Sequence, residues 1–387
     1  MGTSVQTINE KVNLIASQET WIEGLAIQQL TKTAELAGMN RVAGMPDLHP
    51  GKGYPIGAAF LSKDKIYPAL VGNDIGCGMS LWQTSLKLSK VNIDKMAKRL
   101  DKVEQPLGSE WQSFIQDNKK DRNIVNTTFD HSLGTIGGGN HFAEFQAVVD
   151  VFDQAAFEAL NLDKKQLQLL VHSGSRGLGQ SILVEYVRQF NHDGLIADST
   201  DAEHYLSLHN EAVRWAELNR LLIAKRFLEA VKAEGQCRLD VNHNLVTEKE
   251  LSGNSGWLHR KGATPSDQGP VIIPGSRGDY SYLVKPMSCE KSNEQALYSL
   301  AHGAGRKWKR GDCKARLSHK YKREDLYRTA LGSRVICGNK ELLYDEAPQA
   351  YKDCETIIDD LVSAGLVSVI AKLKPILTFK TQGECHS

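Results

Sequence analysis

The stretch Leu167-Gln-Leu-Leu-Val-His-Ser-Gly-Ser-Arg-Gly177 joins an apolar run to a polar, glycine-broken turn. Leu167, Leu169, Leu170 and Val171 are apolar and only Gln168 interrupts them, which predicts a largely buried strand from Leu167 to His172. Shorter β-like runs precede it at Ala58 to Leu61 and Ile66 to Val71. After it, from about Ala202 to Ala233, Leu206, Ala212, Val213, Ala216, Leu221, Ala224 and Leu228 are among the apolar residues at near-helical spacing, with Gly235 as a stop. That pattern predicts a long helix or a helical hairpin. An amphipathic helix is expected from about Thr20 to Leu36, and another from about Ala347 to Ala364 before a strand running through Leu377. Strand and helix patterns together give an α+β class.

The 387 residues are 41% hydrophobic and 24% charged, with mean hydropathy −0.36, which suits a folded globular chain and excludes disorder and collagen. No repeat, low-complexity tract or Pro/Ser-rich linker marks a place to divide it. No apolar run is long enough to span a membrane, and Met1 to Gln6 carry neither a basic signal start nor a myristoylation hydroxyl. A cytoplasmic protein is expected. Cys77, Cys237, Cys289, Cys313, Cys337, Cys354 and Cys385 show no CxxC spacing and read as reduced thiols. With a net charge of only +1, any polyanion must be held by a local basic patch.

Glycine clusters around single polar residues in five segments: Gly44-Met-Pro-Asp47-Leu-His49-Pro-Gly-Lys-Gly53, Gly72-Asn-Asp74-Ile-Gly-Cys77-Gly78, Gly137-Gly-Gly-Asn140-His141-Phe-Ala-Glu144, His172-Ser-Gly-Ser-Arg176-Gly177 and Ala301-His302-Gly-Ala-Gly305-Arg306. Glycine permits tight turns and close backbone approach to a ligand, so these turns suggest a crowded site with phosphate-cradling amides. Asp74, Cys77, His141, His172 and His243 offer carboxylate, thiolate and imidazole, the donors that bind transition metals. Taken singly, each also reads as a buried structural residue or a turn cap.

A Walker GxxxxGK[ST] and the ligase lysine motif KxDG are both absent. A nucleotidyl adduct would need another nucleophile, and His302, between small residues and ahead of Arg306, suits that part as well as it suits a core position. Imidazole attacks phosphorus only when neutral, so its other nitrogen should be held by an acceptor. From Gly303 to Arg323, nine cations (Arg306, Lys307, Lys309, Arg310, Lys314, Arg316, Lys320, Lys322 and Arg323) stand against Asp312 alone, interleaved with Trp308, His319 and Tyr321. Cations that neutralise phosphates beside rings that stack on bases suit single-stranded nucleic acid; a solvated charged face is the alternative.

With Pro274-Gly-Ser276 and a near-terminal lysine added, these motifs run in the order found in the RtcB family of RNA-splicing and RNA-repair ligases, which the sequence resembles over nearly its whole length. The resemblance implies one α+β unit over residues 1–387, with about 200–235 as a candidate helical insertion. It implies GTP-dependent joining of an RNA 3′-phosphate or 2′,3′-cyclic phosphate end to a 5′-hydroxyl end, in tRNA splicing or RNA repair, with two manganese ions. His302 would take GMP from GTP and pass it to the RNA 3′-phosphate; the 5′-hydroxyl then expels GMP. By the same resemblance Asp74, Cys77, His141, His172 and His243 would be the manganese ligands. Asn140, Glu144, Ser276, Ser281 and Lys380 would contact the guanine nucleotide, Tyr351 would stack on its base, and Asp47 matches an acidic catalytic position. An archease-like activator is a further implied partner. Ligand softness alone suggests zinc, so manganese rests on the resemblance.

Two departures stand out. Arg277-Gly278-Asp279 follows Ser276 where the family commonly has Met-Gly-Thr, and Lys307-Trp308-Lys309-Arg310 replaces a common Ser-Arg. They suggest a specialised repair enzyme acting on a structured RNA. A metal-dependent phosphoesterase opening cyclic RNA ends is the rival reading, since it needs the ligand set but neither His302 nor a nucleotide.

Overall fold

The strand expected at Leu167 to His172 runs Gln166–Ser173 inside an eight-stranded sheet of the computed structural model, which describes residues 4–101, 103–251 and 253–381. Its neighbours in order are Gly235–Asn242 and Gly78–Lys87 on one side, then Phe142–Val151, Val367–Thr381, Ser281–Pro286 and Val271–Ile273 on the other. Arg334–Cys337 lies parallel to the distal half of Val367–Thr381. Because successive side chains alternate between faces, each central strand sorts its residues by parity. Leu167, Leu169 and Val171, Ala143 and Phe145, and Leu377 and Phe379 all enter one apolar core. The opposite parity carries His172, Glu144, Thr378 and Lys380, which line a cavity.

That apolar face is covered by the helix Thr200–Val231, whose Ile223, Ala224, Phe227 and Leu228 share the core; Phe227 meets Phe379 edge-on at 5.2 Å. Of the two readings of this region, the single helix is correct: neither glycine nor proline breaks Thr200–Val231. Ser199 caps its start by accepting the Ala202 N–H at 3.2 Å. Truncating a ring such as Phe145, fully buried here, would cost about 3–5 kcal/mol.

A second sheet orders Val5–Asn9, Val12–Ile15, Met39–His49, Ile56–Ser62, Asn254–Lys261 and Asn244–Leu251. Its Ala43, Met45, Ala59 and Leu61 share a core with Val241, Ile273 and Val284 of the first sheet. The chain leaves one sheet and enters the other at His243, between Gly235–Asn242 and Asn244–Leu251. The candidate site lies along this seam.

Three boundaries differ from expectation. The first helix is shorter, Gly24–Thr33, because Thr20 is taken up in a turn that donates to Asp360 at 2.5 Å. Ile66 to Val71 holds only the two-residue strand Lys65–Ile66 and then a 3₁₀ turn Pro68–Leu70, proline lacking the N–H a ladder needs. The last helix is Cys354–Ser363, not Ala347 to Ala364: a short 3₁₀ turn Pro348–Ala350 precedes it, Tyr351 pairs with Arg306, and the Lys352 N–H bonds Gly305 O at 3.0 Å. Asp353 then caps the helix. The following strand runs on to Thr381, past Leu377. Cys385 and Met1 to Thr3 lie outside the described residues; among those described, no disulfide links the other six cysteines. Among the described residues no helix is long and apolar enough to cross a membrane.

Candidate active site

Asp74 and Cys77 sit on a turn before Gly78–Lys87, closed by the Cys77 N–H to Asp74 O at 3.1 Å. His141 immediately precedes Phe142–Val151, His172 stands near the end of Gln166–Ser173, and His243 occupies the crossing between sheets, its N–H bonded to Cys77 O at 2.7 Å. The glycines earn their places locally. A Cβ on Gly174 would stand 2.4 Å from Asp74 Oδ1, so only glycine lets the turn after His172 lie against that carboxylate.

All five expected donors converge. Cys77 Sγ lies 3.2 Å from His172 Nε2 and 3.4 Å from His141 Nε2; His172 Nε2 lies 3.3 Å from His243 Nε2, and His141 Nε2 lies 2.7 Å from Asp74 Oδ2. They form two donor groups, Cys77-His172-His243 and Asp74-Cys77-His141, each with its donor atoms within 4.8 Å of one another and with Cys77 in common. The Asn140 carbonyl lies 3.3 Å from His172 Nδ1, the placement that keeps a proton on Nδ1 and leaves the Nε2 lone pair facing the cluster. Burial, then the neighbouring imidazoles and cations, pushes His172 and His243 well below the ordinary histidine range, so both rings are neutral. Burial, then Asp74, pushes the Cys77 thiol well up. Burial opposes charge on Asp74 too, but His141 and the Arg176 N–H together hold its carboxyl below the usual range. Neutral imidazoles, a carboxylate and a thiol crowded lone pair to lone pair fit a divalent cation, which would displace the thiol proton.

A side chain that the sequence pattern hides braces this cluster. Arg220, fully buried in the long helix, donates to Gly76 O at 2.7 Å, Ser173 O at 3.0 Å, Asn242 Oδ1 at 2.6 Å and Asp240 Oδ1 at 2.7 Å. It thereby ties together the three segments that carry Cys77, His172 and His243. Its neighbour Asn219 donates to Ser173 Oγ at 3.1 Å and accepts from the Gly134 N–H. Both lie inside an apolar helical repeat, where their spacing carries no signal.

His302 follows the strand Ser299–Ala301, and its ring centroid is 4.8 Å from that of His243. Its Nδ1 lies 2.6 Å from Asp47 Oδ2, an ion-pair contact out of line for an N–H···O bond, while its backbone N–H donates to the same oxygen at 3.2 Å. Asp47 is fully buried. The turn that carries it is clamped by Lys352, whose ammonium donates to Pro46 O and Leu48 O, each at 2.9 Å; burial brings that lysine down to about 8. Gly305, at φ +72°, would place a Cβ 2.2 Å from Asp47 O, so glycine alone lets the His302 turn close over Asp47. His49 lies beside His302 at 6.5 Å with its ring stacked, brought down to about 4 by burial.

Above His302 and His172 opens a cavity of about 510 Å³. Asn140, Glu144, Ser276, Tyr351 and Lys380 all line it. Ser281 does not; it stands beyond Gln146, accepting from Gln146 Nε2 at 2.7 Å, and Gln146 also donates to Glu144 Oε1 at 2.7 Å. Burial pushes Glu144 up to about 7, despite donation from Thr378 and Gln146.

Glu346, which no sequence motif marks, organises the far wall. This buried carboxylate meets Lys380 at 3.2 Å, Arg310 at 2.6 Å and Arg306 at 3.1 Å, and accepts from the Tyr351 hydroxyl at 2.6 Å. Burial opposes its charge, but the three cations win and hold it down to about 2. The nine-cation segment is consequently not one face. Arg306 and Arg310 turn inward to Glu346, with Arg306 over the Tyr351 ring at 5.0 Å; Lys314 pairs with Glu341 at 2.6 Å, and Arg323 donates to the Tyr327 hydroxyl at 2.7 Å. Lys307 and Lys309 line the cavity mouth, and Arg316, Lys320 and Lys322 are exposed.

Comparison with known proteins places the chain among relatives. The family model described as tRNA-splicing ligase RtcB matches residues 29–128 and 109–381. The chain is 53% identical to the RNA-splicing ligase RtcB2 of Escherichia coli ATCC 25922, over 99% of both chains. It is 30% identical to the tRNA-splicing ligase RtcB of Nanoarchaeum equitans over 87% of both, and 28% identical to the RNA-splicing ligase RtcB of Escherichia coli K12 over 94% of this chain and 97% of the other.

Proposed function

The chain belongs to the RtcB family, and from that premise we propose that it is an RNA ligase that seals 3′-phosphate or 2′,3′-cyclic phosphate ends to 5′-hydroxyl ends with GTP. The observation that carries the reading is the juxtaposition of His302 with Asp47 on one side and the Asp74-Cys77-His141-His172-His243 cluster on the other. A phosphoesterase has use for the cluster but none for a carboxylate-held imidazole facing a cavity of nucleotide size.

In this reading the negative charge of Asp47 beside Nδ1 favours the ring proton on that nitrogen, leaving the Nε2 lone pair to attack. A nitrogen–phosphorus bond forms at the α-phosphorus of GTP while the α–β phosphoanhydride bond breaks and pyrophosphate leaves. The positive charge that develops on the ring faces the Asp47 carboxylate at 2.6 Å. An oxygen of the RNA 3′-phosphate then attacks the same phosphorus, the nitrogen–phosphorus bond breaks, and His302 is restored. The 5′-hydroxyl oxygen attacks the 3′-phosphorus, its proton passes to solvent, and GMP leaves with the bridging oxygen. A cyclic end needs prior opening by water to a 3′-phosphate.

Asp74, Cys77, His141, His172 and His243 would hold two manganese ions, which supply Lewis-acid neutralisation of crowded phosphoryl oxygens. Lys380, Arg306 and Arg310 gather positive charge on the cavity wall, and Glu144 with Asn140 and Ser276 offers polar groups to the guanine ring. Six cysteines with no disulfide among the described residues suit a reducing cytoplasm.

The test uses two oligoribonucleotides, one ending in a 2′,3′-cyclic phosphate and one starting with a 5′-hydroxyl. Joining that requires GTP and manganese supports the reading. Opening of the cyclic end without GTP and without joined product would replace it with the phosphoesterase.

A further inference from the structure

Beside the cavity mouth, and sharing Glu23, Lys307, Trp308 and Lys309 with it, runs a second open groove of about 600 Å³. Its walls are two indoles. Trp21 is 51% exposed, an unusual position for so large an apolar side chain, and it stands in the extended segment between the Thr20 turn and the first helix. Trp308 is half-buried and carries the Arg316 guanidinium over its ring at 5.1 Å. Three cations, Lys307, Lys309 and Arg316, line the groove against Glu23 and Asp312. Lys307 and Lys309 make no ion pair among the described residues, so their charge is available to a ligand.

We propose that this groove takes the single-stranded RNA segment adjoining the end that reacts at His302, with unpaired bases stacked on Trp21 and Trp308 and the backbone phosphates met by Lys307, Lys309 and Arg316. The proposal rests on the ligase reading for its choice of RNA, and on this chain's own residues for the place. The cavity already has Tyr351 and a wall of cations for one nucleotide. A second site with two indoles and free lysines, open to solvent and continuous with the first, suits a ligand that is longer than a nucleotide, anionic and aromatic at intervals. An apolar peptide would leave the lysines unanswered, and a duplex would keep its bases stacked on each other and out of reach of the indoles.

The groove also accounts for a departure noted in the sequence. Lys307-Trp308-Lys309-Arg310 divides its labour: Arg310 turns inward to Glu346, while the three residues before it face the groove.

The test measures binding directly, without GTP, by fluorescence anisotropy of a labelled ten-nucleotide single-stranded RNA with a 3′-phosphate, at low salt. Trp21→Ala and Trp308→Ala should each weaken binding about 5- to 150-fold, the range expected for loss of one base stack, and Trp308→Phe should restore most of it. Phe152→Ala removes an exposed aromatic that lines neither cavity and should leave binding unchanged. A labelled RNA duplex of the same length should bind the wild type and both alanine variants alike. Single-strand binding unaffected by loss of either indole would overturn the proposal, as would an equal loss for single strand and duplex, which would leave phosphate contact only. Because no GTP is present, failure of the wild type to react with GTP would sink the ligase reading and leave this result standing.

Discussion

Replacing Asp47 with asparagine should abolish most reaction of His302 with GTP while leaving the fold in place. The two side chains have the same shape, and Asp47 sits fully buried against the His302 ring, 2.6 Å from Nδ1. What changes is charge. A hydrogen bond or contact to a buried ionised group contributes roughly 1.5–3 kcal/mol, or about 10- to 150-fold in rate if it acts only when the ring becomes cationic. A second effect adds to it: the asparagine amide can present N–H to Nδ1, moving the ring proton to Nε2 and blocking the lone pair that attacks. The same exchange behind a hydrolase histidine costs about 10⁴-fold. The expected loss therefore lies between about tenfold and about 10⁴-fold. The assay is the initial rate of transfer of α-labelled GTP to the protein, with metal content and thermal unfolding measured on the same samples. A folded, metal-loaded Asp47→Asn protein reacting within about threefold of wild type would refute the role given to Asp47.

Because Cys77 belongs to both donor groups, Cys77→Ala should strip nearly all bound manganese, whereas His141→Ala should spare the Cys77-His172-His243 group and lose only part; elemental analysis after gel filtration distinguishes them, and full metal content in Cys77→Ala would contradict the shared position. Ionised Glu144 accepts more strongly from guanine N–H groups than the neutral acid does, and burial pushes it up to about 7, so GTP affinity should rise from about pH 6 to about pH 8 and lose this rise in Glu144→Gln. The stability signs oppose each other. Glu144, raised from 4.5, contributes stability present below about 4.5 and lost as pH climbs through about 7; Glu346, held at about 2, contributes above about 4.5 and loses it as pH falls toward about 2. Glu346→Gln should accordingly cost about 2–4 kcal/mol near neutral pH by urea unfolding, less than a fully buried pair because Arg310 is partly exposed, and the difference should shrink toward acid.

How far the site was legible depended on what glycine marks. Four of the five expected metal donors are flanked by glycine or asparagine, because bringing side chains from different strands to one point requires the backbone to bend closely, and all five converge. Glu346 and Arg220 carried no such mark. A carboxylate before a short turn and an arginine in a helix look like solvated charge, and only the fold shows them enclosed by partners from distant segments. The basic segment misled in the opposite direction, since nine cations in a line suggest one face, yet the helix Arg310–Leu317 and the turn that follows it from Ser318 send them apart. Ser281 is expected at the nucleotide only by resemblance; it shares the sheet face of Glu144, but Gln146 stands between the two and bonds to both. Helix ends failed where long-range bonds override periodicity, as at Thr20 with Asp360 and Lys352 with Gly305.

The role of His302 is tested most directly by peptide mapping of the protein after incubation with α-labelled GTP and manganese. The expected result is an acid-labile guanylyl group on the peptide carrying His302, absent from His302→Ala, and transferable to an RNA 3′-phosphate when RNA is added. A guanylyl group on any other residue, or RNA joining that persists in His302→Ala, would contradict it.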